Sequence, residues 1–385
     1  MPPTTTLVKR SASYWNPTRR VIGDGALESL PQILSEFRPH RVLLVMGGSS
    51  FRRSSRYGEL LQGLAGFRCV ESVPVQASPS IAFVEQMRRD LAAEKPDLVV
   101  AIGGGSVIDC AKALRLLLTQ ERQIPVEDYL SGPAAFSRRG LPFIAVPTTA
   151  GTGSEVTQYA SLKTRDERKV SLTHPWLFPE VALVDPTLTL SMPAYVTACT
   201  GLDALSQAIE SFWSVHATPF SQPHSLRAVS LIARSFERVL ADPNDREARL
   251  GMSLASTEAG LAISQSRTTA VHAASYPLTT FFHIPHGHAC ALTLPSFVRY
   301  NEAVMDPLRS EPLWHAMGVS SWEAVAETVE RWMDQAGLER SLRKLGLEEA
   351  DLSLAVEHGA RSDRAGNNPR EVTPETLRGI LSAIL

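Results

Sequence analysis

The sequence predicts an α/β N-terminal half built on a parallel sheet, followed by an all-α C-terminal half. Three observations lead there. Up to about residue 190, short apolar runs that stop on Gly or Pro alternate with amphipathic stretches. The last strand signal is Val181–Val184, before Asp185-Pro186. Beyond it only helical periodicities remain, and 385 residues are enough for two cores.

Taken in order, Arg41–Met46 is a compact apolar run halted by Gly47-Gly48, Asp97–Ile102 one halted by Gly103-Gly104-Gly105, and Leu141–Val146 one halted by Pro147. Unbroken apolar runs of this length read as strands covered on both faces, the mark of a parallel sheet. Helical stretches at 55–65, 80–94 and 106–120 lie between or after them, giving the βαβ pattern. Ser191-Met-Pro193 opens the second half, where 194–215, 223–241, 245–264 and 320–345 read as helices. The expected division is 1–190, a dinucleotide-binding unit, and 191–385, a helical unit for metal and substrate.

Composition narrows the partners. Hydrophobic residues make up 44%, charged residues 20%, and the net charge is −2, so nothing attracts the chain globally to nucleic acid or a membrane surface. The four cysteines, Cys69, Cys110, Cys199 and Cys290, show no C-x-x-C spacing, and reduced thiols in the cytoplasm are expected. No apolar run approaches the ~20 residues of a membrane span, and the first ten residues lack a signal-peptide core.

Two loops carry the cofactor signal. Asp97–Ile102 runs into Gly103-Gly104-Gly105-Ser106 and then a helix with Asp109 and Lys112. Glycines let backbone approach an anion, and a helix start offers free N–H groups and a positive dipole end. The plainer reading is a strand-to-helix turn in which Ser106 and Asp109 form a capping box. The spacing is not G-x-G-x-x-G. After the next strand, Thr148-Thr149-Ala-Gly-Thr152-Gly-Ser154 packs more hydroxyls than a single helix cap uses. Loops at successive strand ends define the crevice where an open α/β sheet binds its ligand.

A metal-like constellation follows. Asp203 and Gln207 stand four apart, on one helical face. Four of the ten histidines fall between His272 and His288. A lone histidine is usually structural; a cluster set against an aspartate on another helix points to a site.

At these residues the chain resembles the iron-containing (group III) alcohol dehydrogenase family. The matching blocks are Gly103–Ser106 with Asp109, Pro147–Thr152, Asp185-Pro186, Gly201–Leu205 and Ile284–Gly287. The resemblance implies a dehydroquinate synthase-like architecture, NAD(P)H and a divalent metal, Fe²⁺ or Zn²⁺, in the interdomain cleft. It assigns Asp203, His272 and His286 as ligands, with Gln207 at the position of a family histidine. Tyr276 stands where a further histidine lies near the nicotinamide. Asp203, His272, His286 and Tyr276 are thus the expected catalytic set. Gly103–Ser106, Asp109, Thr148, Thr149, Thr152 and Lys169 are expected at the cofactor. Gly47 and Ser49 occupy the place where many members carry an acidic residue; with Arg52, Arg53 and Arg56 nearby, NADP(H) is expected over NAD(H). The blocks Gly201–Ser211 and Val271–Thr279 are similar to phosphonoacetaldehyde reductases, and Arg267, five residues before His272, is the expected partner of the phosphonate. The expected activity is reduction of a small aldehyde to a primary alcohol by a homodimer. Polyol or short-chain alcohol oxidation on the same fold, or a metal-free nucleotide-binding regulator, are the alternatives.

Overall fold

The computed structural model describes residues 12–48, 50–121, 124–131 and 134–385. Its strands are β1 (Arg19–Ile22), β2 (Val42–Met46), β3 (Cys69–Glu71), β4 (Leu98–Gly103), β5 (Phe143–Pro147), β6 (Tyr159–Lys163), β7 (Lys169–Thr173) and β8 (Val181–Val184). Six of them form one all-parallel sheet in the order β1-β8-β5-β4-β2-β3. Every residue of β2, β4, β5 and β8 is buried, while β1 and β3 sit at the edges. The sequence runs therefore mean what they suggested: alternate residues serve two cores. Leu43, Val45, Val99 and Ala101 face one, with Ile81, Val84 and Ile108. Val42, Leu44, Val100 and Ile102 face the other, with Leu30, Ile33 and Leu60.

Helices α1 (Leu30–Phe37), α2 (Ser55–Gly63), α3 (Ile81–Leu91), α4 (Gly105–Leu117) and α5 (Val126–Ser131) accompany the sheet. β6 and β7 were not anticipated. They form an antiparallel hairpin with Ala160 and Leu172 in register, and their apolar residues, Ala160, Leu162 and Leu172, close over the α4 side of the first core.

The second half contains α6 (Ala194–Trp213), α7 (Ser221–Ala241), α8 (Arg246–Ser266), α9 (Ala270–Phe282), α10 (His286–Glu302), α11 (Pro307–Met317), α12 (Trp322–Gln335), α13 (Leu352–Ala360) and α14 (Pro374–Ala383). They enclose a single large core. The helix expected over 320–345 ends at Gln335, because the chain turns at Gly337 and Leu338 N–H donates back to Met333 O. No helix among the described residues is long and apolar enough to cross a membrane.

Candidate active site

The two glycine- and threonine-rich loops meet at the carboxyl ends of β4 and β5. A Cβ on Gly105 would lie 2.6 Å from Thr152 Cγ2, so the loops touch only because that residue has no side chain. Gly104, not Ser106, is the N-cap of α4, and no side chain caps it. Ser106 Oγ instead accepts from Ser78 N–H at 3.2 Å. Asp109 accepts from Ser154 Oγ and, at 2.9 Å, from Ser161 N–H. The capping box is therefore not formed; its two residues are drawn outward by neighbouring loops, leaving the first turn of α4 open.

On the helical side, α6 presents Asp203, Gln207 and Glu210 along one face, i, i+4 and i+7. Glu210 is fully buried and holds the start of α9. It accepts from Thr269 N–H at 2.9 Å, Thr269 Oγ1 at 2.8 Å and His272 N–H at 3.2 Å, and it also meets His272 Nδ1. A carboxylate only accepts, so Nδ1 carries a proton and Nε2 is turned inward. That Nε2 lies 3.4 Å from Asp203 Oδ1, and His286 Nε2 lies 3.9 Å from the same oxygen. His286 arrives on the first turn of α10. A Cβ on Gly287 would fall 1.9 Å from Cys199 O on α6, so glycine permits this approach. Cys290, one turn on, completes a group whose donor atoms with Asp203, His272 and His286 all lie within 4.8 Å.

The charges in this group are set by burial and by each other. Burial works to raise the Asp203 carboxyl, yet His272, His286 and Gln207 hold it at about 2. His272 stands well above its ordinary value despite its burial, because Cys290, Glu210 and Asp203 favour its charge. Burial, and then Lys169, push His286 well below its ordinary value. Asp203 Oδ1 and Gln207 Oε1 are both buried without a hydrogen-bond donor. An anionic oxygen and an amide oxygen left bare beside two inward imidazoles suit a divalent cation, so the donor set fits a metal.

A cleft of about 530 Å³ joins the two halves. It brings together Gly104, Gly105, Ser106, Asp109, Thr149, Thr152 and Lys169 with Asp203, Gln207, His272, Tyr276 and His286. Thr148 and Thr149 also line an adjoining cavity of about 780 Å³ that reaches Ser54, Arg56 and Thr187. Gly103 is buried behind the loop; Gly47 bridges to Val75 beneath it, and Ser49 lies outside the described residues.

One arginine expectation needs correction. Arg267 does not line the cleft: at φ 61° just past α8, its side chain turns out to Asp363, 3.7 Å away, and is 40% exposed. The guanidiniums after β2 are not all free either. Arg52 pairs with Glu71 at 2.7 Å, and Arg56 with Asp185 at 3.0 Å and with Glu59. Asp185 is a structural hub that also accepts from Gly25 N–H and Leu27 N–H. Sequence reasoning missed Glu210, Cys290 and Arg364. Glu210 was legible as i+7 from Asp203, whereas nothing local marks Arg364.

A family model described as "Iron-containing alcohol dehydrogenase" matches residues 17–186, and one described as "Fe-containing alcohol dehydrogenase family, C-terminal" matches residues 197–385. The chain belongs to the iron-containing alcohol dehydrogenase family. It is 36% identical over 298 residues to long-chain-alcohol dehydrogenase 1 of Geobacillus thermodenitrificans, covering 75% of each chain. It is likewise 36% identical over 313 residues to the phosphonoacetaldehyde reductase of Streptomyces viridochromogenes, covering 77% of this chain and 78% of the relative. The sulfoacetaldehyde reductase of Bifidobacterium kashiwanohense, solved with NAD⁺, superposes with a TM-score of 0.90 at 32% identity, covering 97% and 99% of the two chains. This iron-containing family member is thus an oxidoreductase of alcohols and aldehydes, with a nucleotide and a metal as cofactors.

Proposed function

We propose that the cleft reduces a small aldehyde with an anionic tail, phosphonoacetaldehyde to 2-hydroxyethylphosphonate first, with NADPH as reductant. The observation that carries the reading is the pair of bare, buried oxygens on Asp203 and Gln207, set at the end of the same cleft as the open α4 turn. Identity to a phosphonoacetaldehyde reductase and structural likeness to a sulfoacetaldehyde reductase support the substrate class. The division into functional units near residue 190 belongs to the same proposal.

Asp203, Gln207, His272 and His286 hold the divalent ion, Fe²⁺ or Zn²⁺. When bound, the ion supplies Lewis-acid polarisation of the carbonyl and the dinucleotide supplies the hydride. The N–H groups of Gly104, Gly105 and Ser106 receive the diphosphate, with Thr149 and Thr152 beside them. Lys169 takes the ribose on the nicotinamide side, and Asp109 fixes Ser154 and the hairpin around it. Tyr276, whose ring lies 5.9 Å from that of His286, offers its phenolic proton to the product oxygen. The absence of a carboxylate at Gly47-Gly48 supports NADPH over NADH.

Oxidation of NADPH and NADH by metal-analysed protein, across phosphonoacetaldehyde, sulfoacetaldehyde and neutral aldehydes, tests this. Phosphonoacetaldehyde with NADPH should give the highest kcat/KM. Asp203→Ala and His286→Ala should lose bound metal and activity together. Full activity after exhaustive chelation would mean that Gln207, His272 and Tyr276 act as hydrogen-bond donors alone, and the ligand assignment would be wrong. A kcat/KM for NADH at or above that for NADPH would refute the cofactor preference.

A further inference from the structure

One cation in the cleft has no task in this scheme. Arg364 is 5% exposed and stands just before the short 3₁₀ turn Ala365–Asn367. It lines both the cleft, beside Lys169, His272 and Tyr276, and the groove that opens next to it along Ser362, Asp363 and Thr280. Its guanidinium carbon lies 5.6 Å from the centre of the Tyr159 ring, which fixes the side chain over the hairpin. Its Nε is buried and has no hydrogen-bond acceptor. The nearest carboxylate, Asp363 Oδ1, is 3.6 Å away, is 66% exposed and is shared with Arg267. Exposed partners of that kind are screened and contribute little.

The charge around Arg364 is unbalanced. Lys169 Nζ stands 4.8 Å from the Tyr276 ring, adding a second positive group to the same wall. Among the described residues the cleft is lined by two carboxylates, and neither faces Arg364 as a partner: Asp109 holds Ser154 and Ser161, and Asp203 belongs to the metal group. The guanidinium also meets the Tyr276 hydroxyl, but its Nε–H stays bare; next to a lysine and one ring away from the metal group, it lacks an anion.

We propose that Arg364 binds the tetrahedral oxyanion of the substrate, a phosphonate or sulfonate one or two carbons from the aldehyde, and thereby sets the specificity of the reaction. The assignment rests on the reading of the cleft as a reductase for anionic aldehydes. Arginine suits the task because its planar fork can give two parallel hydrogen bonds to one oxyanion. The same position also replaces the role first expected of Arg267, whose side chain points away.

The test uses the full-length, metal-loaded enzyme with saturating NADPH. Phosphonoacetaldehyde, sulfoacetaldehyde and propanal are compared in wild type, Arg364→Met and Arg364→Lys, with ethylphosphonate as a dead-end inhibitor. In Arg364→Met the ratio of kcat/KM for either anionic aldehyde to that for propanal should fall about 10- to 100-fold, mainly through KM. Ethylphosphonate inhibition should weaken in parallel, and Arg364→Lys should recover part of both. The phosphono and sulfo arms show which oxyanion is preferred. Equal losses on all three aldehydes would make Arg364 structural and overturn the assignment. A wild-type preference for anionic aldehydes that survives in Arg364→Met would overturn it while leaving the proposed function standing. A wild type that favours propanal would remove both. If Arg364→Met does not fold, the same comparison in Arg364→Lys decides, because lysine keeps the charge and loses the fork.

Discussion

At the scale of single residues, the metal group depends on a residue that never faces the cleft. Glu210 accepts from two backbone N–H groups, one hydroxyl and the His272 ring, so it fixes both the start of α9 and the direction of Nε2. Outer partners of this kind raise the basicity of the imidazole and lock its tautomer. Glu210→Gln keeps the shape and removes the charge. It should weaken metal binding about 10- to 100-fold, as read by competition with a calibrated chelator. Unchanged affinity would show that His272 is oriented by packing alone. The neighbouring Gln207 acts in the opposite sense. Its amide oxygen is a poorer donor to late transition metals than imidazole, so Gln207→His should raise affinity for Fe²⁺ or Zn²⁺ in the same titration.

At the scale of elements, the site is a crossing of three helices whose angle is set by one missing side chain. His286 reaches Asp203 because α10 presses Gly287 against the backbone of Cys199 on α6. Gly287→Ala forces the two helices apart and should cost about 1–3 kcal/mol of stability, as overpacking does, while also weakening metal binding. Gly379→Ala, on the exposed face of α14 with nothing within 4 Å of its Cβ, is the control and should be neutral or slightly stabilising. Comparable effects in both would remove the packing argument.

The same elements show what a sequence can and cannot carry. β2, β4, β5 and β8 were legible because a strand covered on both faces must be apolar throughout. Asp203 and Gln207 were legible because helix geometry alone puts i and i+4 together. The β6–β7 hairpin announced itself weakly, through the alternating burial of Tyr159–Lys163 before the polar turn Thr164–Arg168. Arginine placement was not legible. Closeness in sequence to His272 favoured Arg267, but a left-handed backbone after α8 turns it outward, and Arg364 enters the cleft from the far end of the chain.

At the scale of the whole molecule, the two halves meet along the segment Gly153–Tyr159, and a buried lysine holds that segment to the sheet. Thr257 of α8 donates to Glu155 at 2.9 Å, and Tyr159 Oη donates to Ser264 O at 3.2 Å. From below, Lys112 Nζ donates to Ser154 Oγ at 2.9 Å, Thr157 Oγ1 at 3.0 Å and Tyr159 O at 2.8 Å. Lys112 is fully buried, and burial lowers it from 10.5 to about 8, with Asp109 and Glu155 opposing the shift. The sign follows from proton counts. Below about pH 8 folded and unfolded chains both carry the proton, and the cost of burying the charge is full. Between about 8 and 10.5 only the unfolded chain carries it, so stability rises with pH across that window. Between pH 7.5 and 9.5 the gain should be about 2 kcal/mol, at 1.36 kcal/mol per unit. Other groups titrate there too, so the quantity to measure is the difference between wild type and Lys112→Met in urea-unfolding free energy at the two pH values. That difference should move in favour of wild type as the pH rises. Parallel pH profiles for the two proteins would mean that Lys112 stays charged in the fold, its three oxygen acceptors and nearby carboxylates having outweighed its burial.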